Sequence, residues 1–118
     1  MIWNLRGNAK AAERLDHAGG FVLSAVSYME LIQGVRDKAE LGVLRRALHY
    51  WGANVQLLDQ DISARAIFLM ETYALSHGLQ MADALIGATA LSLGATLVTA
   101  NDKHYRMMDG LDIEVFRP

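Results

Sequence analysis

Short segments rich in apolar residues alternate with longer segments of helical periodicity along this chain. The short segments lie at residues 21–25, 54–58, 95–100 and 112–116, and each is typical of a strand. Strands that alternate with helices are typical of a three-layer α/β/α fold with a mostly parallel central sheet. The pattern therefore predicts this fold class.

Helices are predicted in the segments between these strands. They cover residues 2–15, 27–34, 41–51, 59–77 and 81–93, and a short helical turn follows around Tyr105. In the longest helix, apolar residues at helical spacing mark the face toward the core, namely Ile62, Ala66, Leu69 and Tyr73. The start of the second helix matches a capping box, in which Ser27 caps the helix and Glu30 reaches back to its backbone. In that interpretation Glu30 has only a structural role.

The start of the chain does not fit this pattern. The first predicted element is a helix. An α/β fold of this kind instead begins with a strand that enters the centre of the sheet, so we expect the first strand to be missing from this sequence. Arg6, Lys10 and Arg14 recur on one face of this helix. We interpret them as a solvent-facing stripe, although such a stripe is also suited to contact phosphates.

Asp83 is the only formally charged side chain between Met81 and Asn101, in a segment that is otherwise mostly apolar. Such a segment is normally buried, and a buried carboxylate is costly unless it is paired, hydrogen-bonded or bound to a metal. Asp83 is therefore a candidate site residue. The alternative is that its charge only complements the amides and the macrodipole in the first turn of the helix.

Composition narrows the class of protein. With 118 residues, of which 53% are hydrophobic, residues 1–118 are expected to form a single domain. The sequence contains no cysteine, which excludes a disulfide framework and a cysteine-based zinc site. No apolar run is long enough to span a membrane, so we expect no membrane partner and a cytoplasmic location.

Charge does not decide the partner. The net charge of −2 gives no global signature of a nucleic-acid binder. A protein that grips nucleic acid through a metal and a local basic edge does not need an overall positive charge, because bound divalent cations are often the largest charges in a site.

Acidic and amide side chains are predicted to collect at one edge of the sheet, where parallel strands end. Glu30 lies in the helix after the strand at 21–25, and Asp83 opens the helix that leads to the strand at 95–100. Asn101 and Asp102 follow that strand directly. Clustered carboxylates need a cation between them, and oxygen ligands favour Mg²⁺ or Mn²⁺. Hydrolysis of a phosphodiester is the chemistry that such a site explains most readily.

Other catalytic motifs are absent from the sequence. There is no glycine-rich phosphate loop, no nucleophile elbow and no paired-histidine zinc motif. The histidines are scattered, and His104 alone lies beside the predicted edge.

Three segments occur in an order and spacing that resemble a known family. They run from Ser24 to Gly34, from Leu79 to Leu91 and from Leu97 to Tyr105, and the likeness extends to the closing residues 110–115. Together they resemble the PIN-domain family, and within it the VapC-type toxins of bacterial toxin–antitoxin pairs. The resemblance implies a metal-dependent ribonuclease that cuts RNA and is blocked by a cognate antitoxin.

The resemblance also implies roles for particular residues. Glu30 and Asp83 match acidic residues that help to bind Mg²⁺ or Mn²⁺, and Asn101 matches an outer or water-mediated position, for which Asp102 is a possible substitute. Thr99 would be a hydrogen-bonding neighbour of these groups, and Lys103 and Arg106 would meet the RNA backbone. The family also implies a homodimer and an apolar surface for the antitoxin. The residues proposed for that surface are Tyr28, Leu31, Val35, Leu44 and Leu48, and the alternative is that they pack within the domain.

One departure from the family is marked. The family opens with a strand that ends in an aspartate, and Met1 would begin just after that aspartate. Three explanations account for the difference: a start set at an internal methionine, a shortened version of a longer chain, or a true truncation. For this polypeptide we expect weakened metal binding and little or no nuclease activity, because the first metal ligand is missing and a missing central strand leaves backbone groups of its neighbours unpaired.

Two other interpretations remain open. The first is a PIN-like binding module that keeps the antitoxin or dimer surface but is catalytically impaired. The second, less well supported, is a phosphate-accepting receiver domain, which would need paired acids after an opening strand.

Overall fold

A parallel sheet forms the centre of the protein in the computed structural model, which describes residues 2–3 and 20–116. Its strands are β1 (Ile2–Trp3), β2 (Phe21–Ser24), β3 (Ala53–Gln56), β4 (Leu97–Thr99) and β5 (Ile113–Val115). They lie in the order β3-β2-β1-β4-β5, and each neighbouring pair is parallel. The predicted parallel sheet is confirmed.

Helices connect most of these strands. They are α1 (Ala25–Gln33), α2 (Lys38–Tyr50), α3 (Gln60–His77) and α4 (Met81–Leu93), and a short 3₁₀ helix follows β4 at Asp102–His104. The short turn predicted around Tyr105 is thus present. Gly78 and Gly94 end α3 and α4 in the left-handed conformation, with φ of 66° and 60°, as glycine does at many helix ends.

The alternation of side chains along the strands separates the core into two layers. Val22 and Leu97 pack with α3 and α4 on one face of the sheet, whereas Leu23 and Val98 pack with α2 on the other. Because successive strand residues point to opposite faces, each strand contributes to both layers. This arrangement is the predicted three-layer α/β/α fold.

The first strand corrects one prediction. Ile2 is fully buried and pairs with Val22 of β2 and Leu97 of β4, and its amide donates to the carbonyl of Thr96 at 2.9 Å. The prediction that a helix begins at Ile2 and that the central strand is missing is therefore wrong for residues 2–3. The cause is that β2 and β4 both have backbone groups to pair at the sheet centre. The rest of the predicted helix, with Arg6, Lys10 and Arg14, lies outside the described residues.

The start of α1 corrects a second prediction. Ser24, not Ser27, is the N-cap, and its hydroxyl accepts a hydrogen bond from the amide of Val26 at 3.1 Å. Ser27 lies inside the helix and is buried. Glu30 consequently lies beyond the first turn, so the capping-box interpretation does not account for it.

Helix α2 begins earlier than predicted, at Lys38 instead of Leu41. Asp37 is its N-cap and accepts from the amide of Glu40 at 2.8 Å. Glu40 in turn accepts from the side chain and the amide of Arg36, and these bonds lower the pKa of its carboxyl. The aspartate and the glutamate three residues later are a capping signal that apolar periodicity alone did not locate.

Packing between α3 and α4 forms most of one core layer. Ile62, Ala66 and Leu69 of α3 are buried, as the helical spacing predicted, and Tyr73 packs beside them. A polar contact joins the exposed sides of the same helices, where the Ser92 hydroxyl donates to Asp61 at 2.5 Å. This hydrogen bond, followed by that of Arg65, lowers the pKa of the Asp61 carboxyl from 3.8.

Gly87 allows close contact between α4 and the turn that follows β4. A Cβ atom at this position would lie 2.3 Å from the sulfur of Met108 and 3.7 Å from the ring of Tyr105. Both of those side chains are buried in the core. The glycine therefore sets how closely the turn approaches the helix.

Ser92→Ala is expected to lower the melting temperature slightly at neutral pH. A carboxyl whose pKa is lowered on folding contributes stability above its unfolded value, and this contribution is lost as the pH falls through its folded pKa. The difference between Ser92→Ala and the unaltered protein should therefore shrink at pH values below 3.8. Thermal unfolding over this pH range tests the prediction, with Ser63→Ala in α3 as the control, and a difference independent of pH would contradict it.

Gly87→Ala is expected to destabilise the protein by about 1–3 kcal/mol, because the buried Met108 must move. Gly42→Ala is the matched control, since its new Cβ would meet only the flexible end of Arg46, at 3.3 Å. It should stabilise α2 by about 0.5–1 kcal/mol. Denaturant unfolding of both variants measures whether each change raises or lowers the free energy of unfolding. Equal stabilisation by both would show that Met108 repacks without cost.

Candidate functional site

Asp83 is buried, with 3% of its surface exposed, in the first turn of α4. The hydroxyl of Tyr105 donates to its Oδ1 at 3.0 Å, and Nδ1 of His104 lies 3.0 Å from its Oδ2. Two consecutive residues thus contact the two oxygens of one carboxylate. The sequence left two interpretations of Asp83 open, a buried site residue and a charge in the first turn of a helix. The structure shows both features, because Asp83 occupies the first helical turn and is also buried among specific partners.

The turn after β4 brings these partners to Asp83. The carbonyl of Asp102 accepts hydrogen bonds from the amides of Tyr105 and Arg106, at 3.0 and 3.1 Å. These bonds hold the turn in a compact form, and the Tyr105 ring is fully buried beside α4. The His104 side chain, in contrast, is 46% exposed. Tyr105 therefore contacts Asp83 from inside the core and His104 contacts it from the solvent side.

A cavity of about 200 Å³ opens beside this pair. Asp83 and His104 both line it, together with Lys103 and with His77, Gly78, Leu79, Gln80 and Met107. Tyr105 is not part of this lining. One side of the Asp83 carboxylate accordingly faces the core, and the other faces the cavity.

A second, open depression of about 520 Å³ follows the end of β4. Asn101, Asp102, Lys103 and Arg106 line it, with Ala100 and His104. Lys103 and His104 thus belong to both depressions. Of the residues predicted at this edge, the structure therefore places Asn101, Asp102, Lys103 and Arg106 around one opening and Asp83 in the cavity beside it.

Asp102 and Thr99 already have partners inside the protein. The buried Asp102 carboxylate accepts hydrogen bonds from the guanidinium of Arg106, which is itself mostly exposed. The hydroxyl of the buried Thr99 accepts from the amide of Asn101 at 3.0 Å. Thr99 is thus a hydrogen-bonding neighbour of Asn101, and Asp102 is in contact with a cationic side chain of the same turn.

Glu30 lies apart from these two depressions. It is half-buried on α1, which packs against α4, and its Oε1 atom is fully enclosed. It lines neither the cavity at Asp83 nor the depression at Asn101. Within residues 2–3 and 20–116, no three acidic or histidine side chains converge on a single point suited to a metal ion.

A hydrated divalent cation nonetheless fits the donors at Asp83. Mg²⁺ keeps several of its waters and is commonly bound through one or two carboxylates. Asp83 offers a buried carboxylate at the wall of a cavity, and Asn101, whose side chain carries an oxygen of the same hard-ligand type, lines the adjoining depression. The residues present therefore fit such an ion through one carboxylate and coordinated water.

Sequence reasoning did not identify the contacts of Tyr105 and His104 with Asp83. These residues are more than twenty positions from Asp83, as the separation of 22 between Tyr105 and Asp83 shows. A weak signal was available, because a buried tyrosine hydroxyl usually has a hydrogen-bond partner. Burial of Tyr105 itself was not evident from the sequence.

Comparison with known proteins identifies the family. Residues 3–110 match the PIN domain. The chain is also 33% identical to ribonuclease VapC19 of two Mycobacterium tuberculosis strains, over 92% of this chain and 88% of theirs. The chain therefore belongs to the PIN-domain family and is a homologue of the VapC ribonucleases, and PIN-domain ribonucleases generally use a divalent metal.

Solved structures show the same fold. A toxin–antitoxin complex from Klebsiella pneumoniae matches with a TM-score of 0.73 and 24% identity, over 93% of both chains. VapBC-1 from nontypeable Haemophilus influenzae matches with 0.71 and 23%, over 98% of both chains. FitAcB from Neisseria gonorrhoeae matches with 0.68 and 22%, over 96% of both chains. The three-layer arrangement is therefore that of the PIN fold.

Proposed function

We propose that this chain is a metal-dependent endoribonuclease toxin that hydrolyses RNA phosphodiester bonds and is neutralised by a cognate antitoxin. The observation that carries the proposal is the buried Asp83 carboxylate at the wall of a cavity, in a chain that belongs to the PIN-domain family. Burying a carboxylate is costly. A functional role for Asp83 explains why the protein keeps a buried carboxylate at this position despite its cost in stability.

Mg²⁺ or Mn²⁺ is the proposed cofactor, because the available donors are oxygens. Asp83 would hold it directly and Asn101 would act as an outer position, with Asp102 as its alternative. Glu30 stays a proposed ligand by resemblance alone, because it lines neither depression. When bound, such an ion supplies activation of a water and stabilisation of charge on the phosphate. The protein's part is to hold the carboxylates in place and to exclude bulk water from one side of Asp83.

Lys103 and Arg106 are the proposed contacts for the RNA backbone. Lys103 is exposed and lines both depressions, so a phosphate bound next to Asp83 would also lie next to Lys103. Arg106 lines the larger depression and pairs with Asp102 through one part of its guanidinium. Backbone contacts of this kind position RNA without reading its sequence.

The proposed partners are a cognate antitoxin and a second copy of this chain, as in toxin–antitoxin pairs. The proposed location is the cytoplasm, and residues 1–118 are proposed to form one domain. The described helices include none that is both long enough and apolar enough to cross a membrane.

Most of the apolar residues suggested as the antitoxin surface pack within the domain. Leu48 of α2 is buried in the core, and Tyr28 and Leu31 of α1 and Leu44 of α2 pack half-buried against the same cluster, because these residues cover one face of the sheet.

A catalytically impaired binding module is the second candidate. The observation that favours it is that both buried acids at this edge already have partners within the protein, Asp83 with Tyr105 and His104, and Asp102 with Arg106. Such contacts stabilise the fold without any metal. The two candidates differ in whether the folded protein cleaves RNA in the presence of a divalent ion.

Asp83→Asn is expected to lower metal-dependent cleavage by about 100-fold or more, because the amide keeps the shape of the side chain but removes its charge. Cleavage of a panel of transfer and structured RNAs with Mg²⁺ or Mn²⁺ measures the effect. Asp109→Asn, at an exposed position in the following turn, is the matched control. Unchanged cleavage by a folded Asp83→Asn protein would refute the role of Asp83. Because little or no nuclease activity is expected of this polypeptide, the assay is also run on a version that carries the family's opening strand and aspartate, and no cleavage by that folded version would favour the binding module.

Lys103→Ala is expected to weaken RNA binding to a similar degree for all sequences. Removing one phosphate contact should also reduce the slope of affinity against salt concentration by about 1. Titration of a catalytically inactive Asp83→Asn protein with labelled RNA at several salt concentrations tests this. Lys38→Ala, at the exposed start of α2, serves as the control, and equal slopes for all these proteins would contradict the assignment.

A further inference from the structure

The two hydrogen-bond partners of Asp83 differ in how firmly they are held. Tyr105 has no exposed surface, and its hydroxyl donates to Oδ1 from within the core. His104 is 46% exposed and approaches Oδ2 from the cavity side. The contact with Oδ1 is therefore fixed by packing, whereas the contact with Oδ2 lies where an incoming ligand would arrive.

Packing leaves the Tyr105 ring little freedom. The ring belongs to the same core cluster as Ala84 and Ile86 of α4, which are fully buried. Gly87, one turn after Asp83, allows the turn with Tyr105 and Met108 to lie close against the helix. Residues locked by packing in this way are those that orient functional groups with precision.

We infer that Tyr105 is a positioning residue for Asp83, which holds Oδ1 so that Oδ2 is presented to the divalent cation. This inference rests on the proposed function, because it assigns a task to Tyr105 only if Asp83 binds the ion. A ligating carboxylate is commonly oriented by a hydrogen bond from a neighbouring group, and loss of such a bond typically weakens metal affinity by about 10–100-fold. His104, in turn, contacts the oxygen that the cation would use, so that the cation and His104 meet at the same atom.

Tyr105→Phe removes only the hydroxyl and keeps the ring that fills the core. The expected result is Mn²⁺ affinity about 10-fold weaker than that of the unaltered protein, measured by calorimetric titration or by the electron paramagnetic resonance signal of free Mn²⁺. A cleavage assay should show a raised Mn²⁺ requirement with an unchanged KM for RNA. Tyr50→Phe, at a residue that is 81% exposed, is the matched control and should behave as the unaltered protein does.

A double-substitution cycle separates positioning from general stability. If Tyr105 acts through Asp83, then Tyr105→Phe should have no further effect on Mn²⁺ affinity in a protein that already carries Asp83→Asn. A role in folding alone would change the melting temperature but leave Mn²⁺ affinity unaltered. Equal Mn²⁺ affinity for Tyr105→Phe and the unaltered protein, with Asp83→Asn impaired, would overturn this inference and leave the proposed function standing.

The converse results identify failure of the proposed function itself. If Asp83→Asn binds Mn²⁺ as well as the unaltered protein does, then Asp83 is not a ligand and both proposals fall. Because weakened metal binding is expected of this polypeptide, the titration extends to millimolar Mn²⁺, and absence of binding there would also overturn both proposals. A measurement without any change at residue 105 covers the case in which Tyr105→Phe does not fold. The protein is labelled with 3-fluorotyrosine, and the Tyr105 fluorine resonance is expected to shift on addition of Mg²⁺ in the unaltered protein but not in Asp83→Asn; a resonance that stays in place at saturating Mg²⁺ would overturn the inference.

Discussion

Burial of the Asp83 carboxylate is the constraint around which the rest of the structure is arranged. The helix that carries it is enclosed on almost every side, and Ala84, Ile86, Ala88 and Ala90 have no exposed surface. A charged group in such a place must have hydrogen-bond partners within the protein, because it has little access to water. The chain meets this need with Tyr105 and His104, and the turn after β4 has the form required to deliver them.

Several separate features of the fold serve this one contact. The order of the sheet places β4 beside the central strand, so that the chain leaving β4 emerges over the core layer of α3 and α4. The bonds to the carbonyl of Asp102 then fold that chain back, and Gly87 lets it come close to α4. The contact between Asp61 and Ser92 joins the exposed sides of the two helices that form this layer. Stability of the layer and geometry of the candidate site are therefore aspects of the same packing.

Local sequence signals predicted most elements but not all their limits. Apolar spacing located Ile62, Ala66 and Leu69 on the buried face of α3, because each helical turn repeats the same environment. The starts of α1 and α2 were misplaced since capping depends on which polar residue adopts an extended backbone, as Ser24 and Asp37 do. Residues 2–15 have the pattern of an amphipathic helix, and only the folded sheet shows that Ile2 itself fills the central position that the pattern leaves open.

The sequence by itself determined the fold class, the family resemblance and the choice of Asp83 as a candidate site residue, because these depend on residue types and short spacings along the chain. The tertiary structure decided which groups reach the Asp83 carboxylate, how Asp102 and Arg106 pair, and that Glu30 is not a capping residue. Tyr105 and Asp83 are 22 residues apart, and only the packing of a turn against a helix brings them together. Contacts across such distances depend on the geometry of the whole core, which no local pattern in the sequence encodes.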